Sequence, residues 1–317
     1  MSDNKQPQDF VEEIKNCLGN KDFAQADQLR EELMNVHPAA LSEIIKTAEI
    51  IEEAKTEGLD KQHLELWAEL YDDLSDEEVN ALFYSLKEIT IGPQKKILSH
   101  GMYNSKLFFI EDGKVAVFIN KDNKNKVIAQ LGKGNLLGEH TLTTISLCPA
   151  SAASTSEVRL RYVDDSVSDK WQEDFPVLHS KLVRFCEKKG KIEKIMCQKE
   201  LKKRSHERIK ASGKVVAVVL DKDGKRTSSA INGDLADISV DGCCFAIHCA
   251  KKAIAKSLLA RHCQMSISAG DEANPVKIAA VGKIVKVSFY LHGDYSVHMS
   301  FVKPLDQAAL QPLMPPS

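Results

Sequence analysis

Several kinds of signal are missing from the 317-residue sequence. No apolar run approaches the roughly 20 residues that a bilayer-crossing helix needs, and the opening "MSDNKQPQDF" has neither the cationic patch nor the apolar stretch of a secretory leader. The expectation is a cytoplasmic protein with no membrane partner. The eight cysteines are scattered as Cys17, Cys148, Cys186, Cys197, the adjacent Cys243 and Cys244, Cys249 and Cys263, with no C-x-x-C and no matching histidine spacing. That argues against a zinc site and for small buried apolar residues or surface thiols in a reduced compartment. No nucleophile–base pair, metal cluster or phosphate-cradling glycine loop emerges, and "GKGNLLG" reads as a turn between strands. An enzyme is the least supported class, and no cofactor is expected.

What is present is charge, unevenly placed. The formal net charge is −2. Residues 1–80 nevertheless carry 21 Asp and Glu against 7 Lys and Arg, a balance of −14, while residues 181–210 carry 12 Lys and Arg against 4 Glu, a balance of +8. A local cationic excess attracts nucleic acid, an anionic surface or a phosphorylated small molecule, or is simply a solvated helix face.

Length points to two or three domains. Up to about residue 88 apolar residues recur at three- and four-residue spacings in "FVEEIKNCL", "FAQADQLREELMNV", "LSEIIKTAEIIEEA" and "HLELWAELYDDL", the period of helices packed on one face. Gly19, Pro38 and Gly58 fall where these helices should stop. Ser75 followed by Glu78 is a capping box opening another. The acidic surface suggests a module that docks protein partners. From about residue 89 the period becomes two, with short strands in "KKILSHG", "KLFFIEDGKVAVFIN", "KVIAQLGKGNLLGEH" and "EVRLRYVDD", as in a β-roll or barrel. "FPVLHSKLVRFCEKKGKIEKIMCQKELKKR" returns to helix. Its stripe of Leu178, Leu182, Phe185, Ile192 and Met196, interrupted by Lys189 and Gly190, either pairs with a second copy or packs on its own domain. Six alternating segments follow, "KVVAVVL", "SSAINGDLADISV", "CCFAIHC", "CQMSIS", "VKIAAVGKIVKVSFY" and "YSVHMSFV", a small β-barrel with "AKKAIAKSLLA" as an internal helix. The proline-rich end "LQPLMPPS" reads as frayed.

Two short patterns carry chemistry. Arg204 and Arg208 stand four apart just before the first barrel strand. A planar guanidinium matches phosphate oxygens with paired donors, stacks on purines and donates twice to guanine O6 and N7. The second pattern is "DISVDG": Asp237 can accept from the guanine N1 and N2 donors, Ser239 adds a hydroxyl, and Gly242 allows positive φ and close backbone approach. Its plainer meaning is a hairpin turn. Together, in this order before a β-barrel, R-x-x-x-R and D-x-S-x-x-G resemble the PilZ domain, the bacterial receptor module for cyclic di-GMP, over residues 199–305. The resemblance implies a six-stranded barrel with a flexible leading arm, Arg204 and Arg208 on phosphates and guanine, and Asp237 and Ser239 on a base. Lys203, the residue before the first arginine, favours an intercalated ligand dimer in that picture. A charge-assisted hydrogen bond contributes about 1.5–3 kcal/mol and base stacking about 1–3 kcal/mol, against about 8 kcal/mol for micromolar binding, so one arginine is not enough.

Residues 75–195 resemble a second family, the cyclic-nucleotide-binding domain. There a glutamate on the ribose and an arginine on the cyclic phosphate form a cassette. Glu139 fills the first role, but Ala150 in "PASA" stands where the arginine belongs and Arg159 lies too far along. A buried phosphate without its cation is costly, so tight binding of cyclic AMP or cyclic GMP here is not expected. A barrel in place of a helix-turn-helix argues against DNA. The expected organisation is multidomain α+β: a helical region 1–74, a cyclic-nucleotide-binding-like β-roll with closing and connecting helices 75–198, a PilZ barrel 199–305 and a tail 306–317. The expected function is a cyclic di-GMP receptor that reorients the barrel against the upstream domains, and the rival is a ligand-independent scaffold.

Overall fold

The structure, a computed structural model, describes residues 5–121, 124–143, 145–192, 194–195, 206–249, 252–270, 275–289 and 294–313. It divides into two compact units, Met1–Lys87 with Lys170–Phe185, and Glu88–Asp169 with Cys186–Ser317. The β-roll and the barrel therefore fall in one unit, whereas the sequence alone suggests a break near residue 198.

The helical region contains α1 (Pro7–Gly19), α2 (Phe23–Val36), α3 (Leu41–Glu57), α4 (Lys61–Leu66), α5 (Ala68–Tyr71) and α6 (Asp76–Ser85). The three- and four-residue spacing of Phe10, Ile14, Leu29 and Leu33 puts them in one core with Ile51, each burial worth about 1.5–3 kcal/mol. The capping box opens α6 as expected: the Glu78 amide donates to Ser75 Oγ at 3.3 Å and the Ser75 amide to Glu78 Oε2 at 2.9 Å. "HLELWAELYDDL" is not one helix. It breaks at Trp67, which ends α4 and begins α5. Trp67 is buried with its ring edge-on to Phe185, centroids 6.3 Å apart, so tertiary packing of a large aromatic overrides local helix period.

The β-roll follows, with β1 (Lys87–Ile91), β2 (Lys96–Leu98), β3 (Lys106–Asp112), β4 (Lys114–Lys121), β5 (Lys124–Gly132), β6 (Leu136–Leu137), the short α7 (His140–Thr143), β7 (Ile145–Ser146), β8 (Ser151–Ser154) and β9 (Val158–Asp164). Two sheets, ordered β1-β9-β3-β6 and β2-β8-β4-β5, share a core of Ile110, Leu160, Val115 and Val117. "GKGNLLG" is a turn: Asn135 closes it on Gly132, and the Gly134 amide donates to the Ile110 carbonyl. Next come α8 (Asp165–Asp174) and α9 (Pro176–Lys189). The sequence reading missed α8, whose charged stretch has few apolar residues beyond the buried Trp171. Leu178, Leu182, Phe185 and Ile192 are all buried, so the described part of the stripe is covered by its own chain. Met196 lies outside the described residues.

In the barrel, β10 (Ile209–Lys210), β11 (Gly213–Leu220), β12 (Arg226–Ser239), β13 (Gly242–His248), α10 (Lys252–Ser257), β14 (His262–Ala269), β15 (Val276–Phe289) and β16 (Asp294–Phe301) realise the six expected strands and the helix. The order β12-β11-β14-β15-β16-β13 closes through a β12–β13 pairing. Val215, Phe245, Met265, Ile284, Val297 and Phe301 share its core. The expectation of a frayed tail needs correction up to Leu313, while residues 314–317 lie outside the described residues. A 3-10 turn at Gln307–Leu313 buries Leu310 in that core and sets Leu313 beside Gly270. Two leucines with apolar surface to cover outweigh Pro312, which the 3-10 turn holds between them.

The roll and the barrel meet through β7, which pairs antiparallel with β15, Lys286 opposite Ser146 and Val287 opposite Ile145. The Leu147 amide extends the pairing by donating to the Val285 carbonyl at 3.0 Å. A second tie runs from α10 to the roll, where Lys256 is ion-paired with Asp165, the acceptor of the Tyr103 hydroxyl.

Candidate functional site

Alternation along β12 puts Ile231, Gly233 and Leu235 inward, then a bulge between Leu235 and Asp237 shifts the phase so that Ile238 and Val240 take over the core side. The bulge leaves Asp237 and Ser239 on the outer face. A bulge re-aims side chains in this way wherever a ladder gains one residue. The arm arrives at the same place because β10 pairs with the end of β12, Ile209 opposite Ile238 and Lys210 opposite Asp237. Arg208 Nη1 donates to Asp237 Oδ1 at 2.5 Å, with one-fifth and about one-quarter of the two side chains exposed. The structure thus brings together Arg208 of the first pattern and Asp237 of the second. Lys203 and Arg204 lie outside the described residues.

Ser239 and Gly242 are opposite one another, with Val240 and Asp241 as the two-residue connection. The role expected for Gly242 is half corrected. Its φ is not positive, but a Cβ there would lie 2.1 Å from the Met299 carbonyl oxygen. Glycine is required because β16 crosses so close, not because the turn is left-handed. Neither turn residue has positive φ either. The turn is held from outside, Asp241 accepting from the Phe301 amide at 2.8 Å and Val240 from the Leu305 amide at 2.9 Å. Ser239 is buried and its hydroxyl donates to the Gly242 carbonyl at 3.2 Å. In this structure it braces the turn rather than projecting toward a ligand.

A second link between arm and turn was not foreseen. His206 Nδ1 is 2.8 Å from Asp241 Oδ2. Both residues sat inside the quoted motifs, at positions the motifs leave unspecified, so no sequence signal marked them. The two adjacent cysteines face opposite ways. Cys243 is fully buried in the core and burial pushes its thiol up to about 12, a group inert at neutral pH. Cys244 lies opposite Asp237, on the outer side.

In the roll, Glu139 is buried beneath the end of α9. A Cβ on Gly190 would come within 3.1 Å of Glu139 Cγ. Burial first, then the Glu139 charge, push the Cys186 thiol above its ordinary range. Ala150 is 4% exposed and belongs to the roll core. Arg159 is exposed on β9, and Arg161 on the same strand is ion-paired with Glu88 at 2.5 Å. Among the described residues no group of three or more His, Cys, Asp or Glu is placed to hold a metal ion, and no helix is long and apolar enough to cross a membrane.

Residues 88–169 match the family described as Cyclic nucleotide-binding domain. The middle region is a domain of that kind, and such a domain points to a nucleotide-sensing regulator. Solved structures similar to the chain include a cyclic nucleotide-binding domain from Methylobacillus flagellatus KT (23% identity, TM-score 0.38, 46% of this chain and 85% of that one). Others are the C-linker and CNBHD of zELK channels (19%, 0.39, 53% and 95%) and the Thermus thermophilus catabolite activator protein (21%, 0.36, 42% and 62%). No curated protein matches the chain.

Proposed function

We propose that the chain is a bacterial, cytoplasmic, non-catalytic receptor for cyclic di-GMP whose C-terminal barrel is a PilZ domain. The observation that carries this reading is the Arg208–Asp237 contact, which joins the two halves of the motif at the barrel rim. A guanine that is read by the Asp237 carboxylate has to share or displace the Arg208 guanidinium, so ligand entry and arm rearrangement are the same event. Arg204, four residues earlier, supplies a second guanidinium for phosphate or base, as the affinity arithmetic requires. Lys203 beside it would favour two stacked ligands. Binding would rearrange the arm around Arg208 and shift the barrel relative to the upstream domains, the equilibrium moving only as far as the ligand prefers one arrangement.

The roll takes a different part. With apolar Ala150 buried where the cassette arginine would stand and Glu139 covered by the end of α9, it serves as a relay rather than a second receptor. Calorimetric titration with cyclic di-GMP tests the assignment and counts ligands. Micromolar or tighter heat with Arg208-dependent affinity supports it, and an absence of heat at millimolar ligand removes it. A fluorescent cyclic AMP analogue that binds at micromolar concentration overturns the relay role of the roll.

One observation favours a scaffold as the second reading. Leu41 and Ile45, four apart at the start of α3, are 65% and 58% exposed within the acidic helical region, as a docking face would be. Partner capture that is unchanged by cyclic di-GMP would favour the scaffold.

A further inference from the structure

The outer face that carries Asp237 continues across three more strands. Register places Asp237 opposite Cys244, Cys244 opposite His298, and His298 opposite Lys286. Residues directly opposite in an antiparallel ladder project from the same side. The row ends on a lysine, and that lysine is presented by the same device as Asp237. Along β15 the inward residues Val276, Ile278, Ala280 and Ile284 keep a period of two, then a bulge between Ile284 and Lys286 moves the core position to Val287 and turns Lys286 outward. Two bulges, one before Asp237 and one before Lys286, therefore aim a carboxylate and an ammonium onto one surface. Three strand spacings of about 4.8 Å separate their backbones, about 14 Å along the face.

Lys286 is partly buried and has no ion-pair partner among the described residues, an arrangement that leaves an ammonium short of a counter-charge. Cys244 lies in the row between these groups: burial and then Asp237 push its thiol up, while Arg208, a hydrogen bond with Ser296 and the Lys286 charge pull it down. On its other edge Lys286 is opposite Ser146 of β7, the strand that the roll lends to the barrel.

We infer that Lys286 is a further contact of the dinucleotide site, receiving a phosphodiester anion on the side away from Arg208, and that through the β15–β7 pairing it conveys ligand occupancy to the roll. This rests on the cyclic di-GMP reading and extends it by one residue and one route. The bulge residue Val285 is the acceptor of the Leu147 amide, so an anion that draws Lys286 outward acts beside the hydrogen bond joining the two domains.

The test is calorimetry with cyclic di-GMP on the full chain and on Arg208→Ala, Lys286→Ala, Lys286→Arg and Lys277→Ala, with hydrogen exchange over residues 145–147. Lys277 is an exposed lysine on the same strand, opposite Ser268 and away from the row. Lys286→Ala is expected to weaken binding about tenfold, the loss of one charge-assisted contact, with Lys286→Arg restoring most of it and Lys277→Ala matching the parent. Ligand should slow exchange at the Leu147 amide in the parent and not in Lys286→Ala. If Arg208→Ala loses affinity while Lys286→Ala binds like the parent, or if ligand leaves Leu147 exchange unaltered in the parent, the inference is overturned and the receptor reading stands. If the parent takes up no cyclic di-GMP, both fall together.

Discussion

The barrel rim and the roll cassette lie in the same unit, and each holds residues that the sequence patterns mark for a nucleotide. At the rim Asp237 faces outward, turned there by a bulge, with the Arg208 guanidinium against its carboxylate. In the cassette the corresponding positions have been drawn inward: Ala150 is part of the apolar core and Glu139 is covered by the helix that closes the domain. Charge presented at a surface keeps its options, because water or a ligand can replace the partner it has. Charge taken into a core must have its partner supplied by the protein, and position 150 supplies an apolar alanine where the cassette arginine would stand.

The contrast can be attacked first at its buried end. Ala150→Arg places an unpaired cation in the roll core, and several kcal/mol of stability should be lost with no cyclic AMP binding gained. A variant that kept its melting temperature and bound cyclic AMP in equilibrium dialysis would erase the difference between the two surfaces. At the rim, Gly242→Ala forces a methyl against the Met299 carbonyl. The expected destabilisation is about 1–3 kcal/mol, as for other overpacked sites, visible in thermal unfolding together with loss of cyclic di-GMP binding.

Arg208→Ala tests the surface chemistry directly. Affinity for cyclic di-GMP should fall by about tenfold to a hundredfold in calorimetry, since each 1.4 kcal/mol is a factor of ten, with little change in melting temperature because the pair it breaks is partly exposed. The smallest effect is expected in the helical region, where a buried charge does have its partner. Burial pushes the Glu78 carboxyl up, but hydrogen bonds from Lys181 and from the Ser75 amide, with the Lys181 charge, outweigh it and leave the pKa below the ordinary carboxylate value. Protons therefore favour the unfolded state. The contribution of Glu78 is complete at neutral pH, and is lost as pH falls through the ordinary carboxylate range and then the lowered native value. Glu78→Gln should remove about 1 kcal/mol or less at pH 7 and flatten the acid side of a melting-temperature profile. A profile identical to the parent would show that this pair carries no weight.

Much of this was legible in the residues because it depends on period and on turn chemistry. The helical spacing of Phe10 and Ile14, the capping box at Ser75, and the two-residue alternation of the six barrel strands each state a local preference that packing then satisfied. The sequence reading went astray where a distant contact overrode the local one. Trp67 broke a helix because its ring had somewhere to go, Leu310 ordered an end that prolines suggested was frayed, and Gly242 proved necessary for the approach of a strand nearly sixty residues later rather than for its own φ. His206 and Lys286 could not be picked out at all, since nothing in their flanking residues says that Asp241 or the row through Asp237 lies beside them.

The order of most elements, the period of each strand and helix and the presence of the two short motifs follow from the chain itself, because alternation and spacing are properties of neighbouring positions. Which faces those motifs ended up on was decided by folding. Bulges after Leu235 and Ile284 reverse the sense of two strands, and the pairing of β7 with β15 puts the roll at the end of the row that begins at Asp237. Ladder register is a property of pairs of strands far apart in sequence, and that is the physical reason it could be found only in the folded molecule.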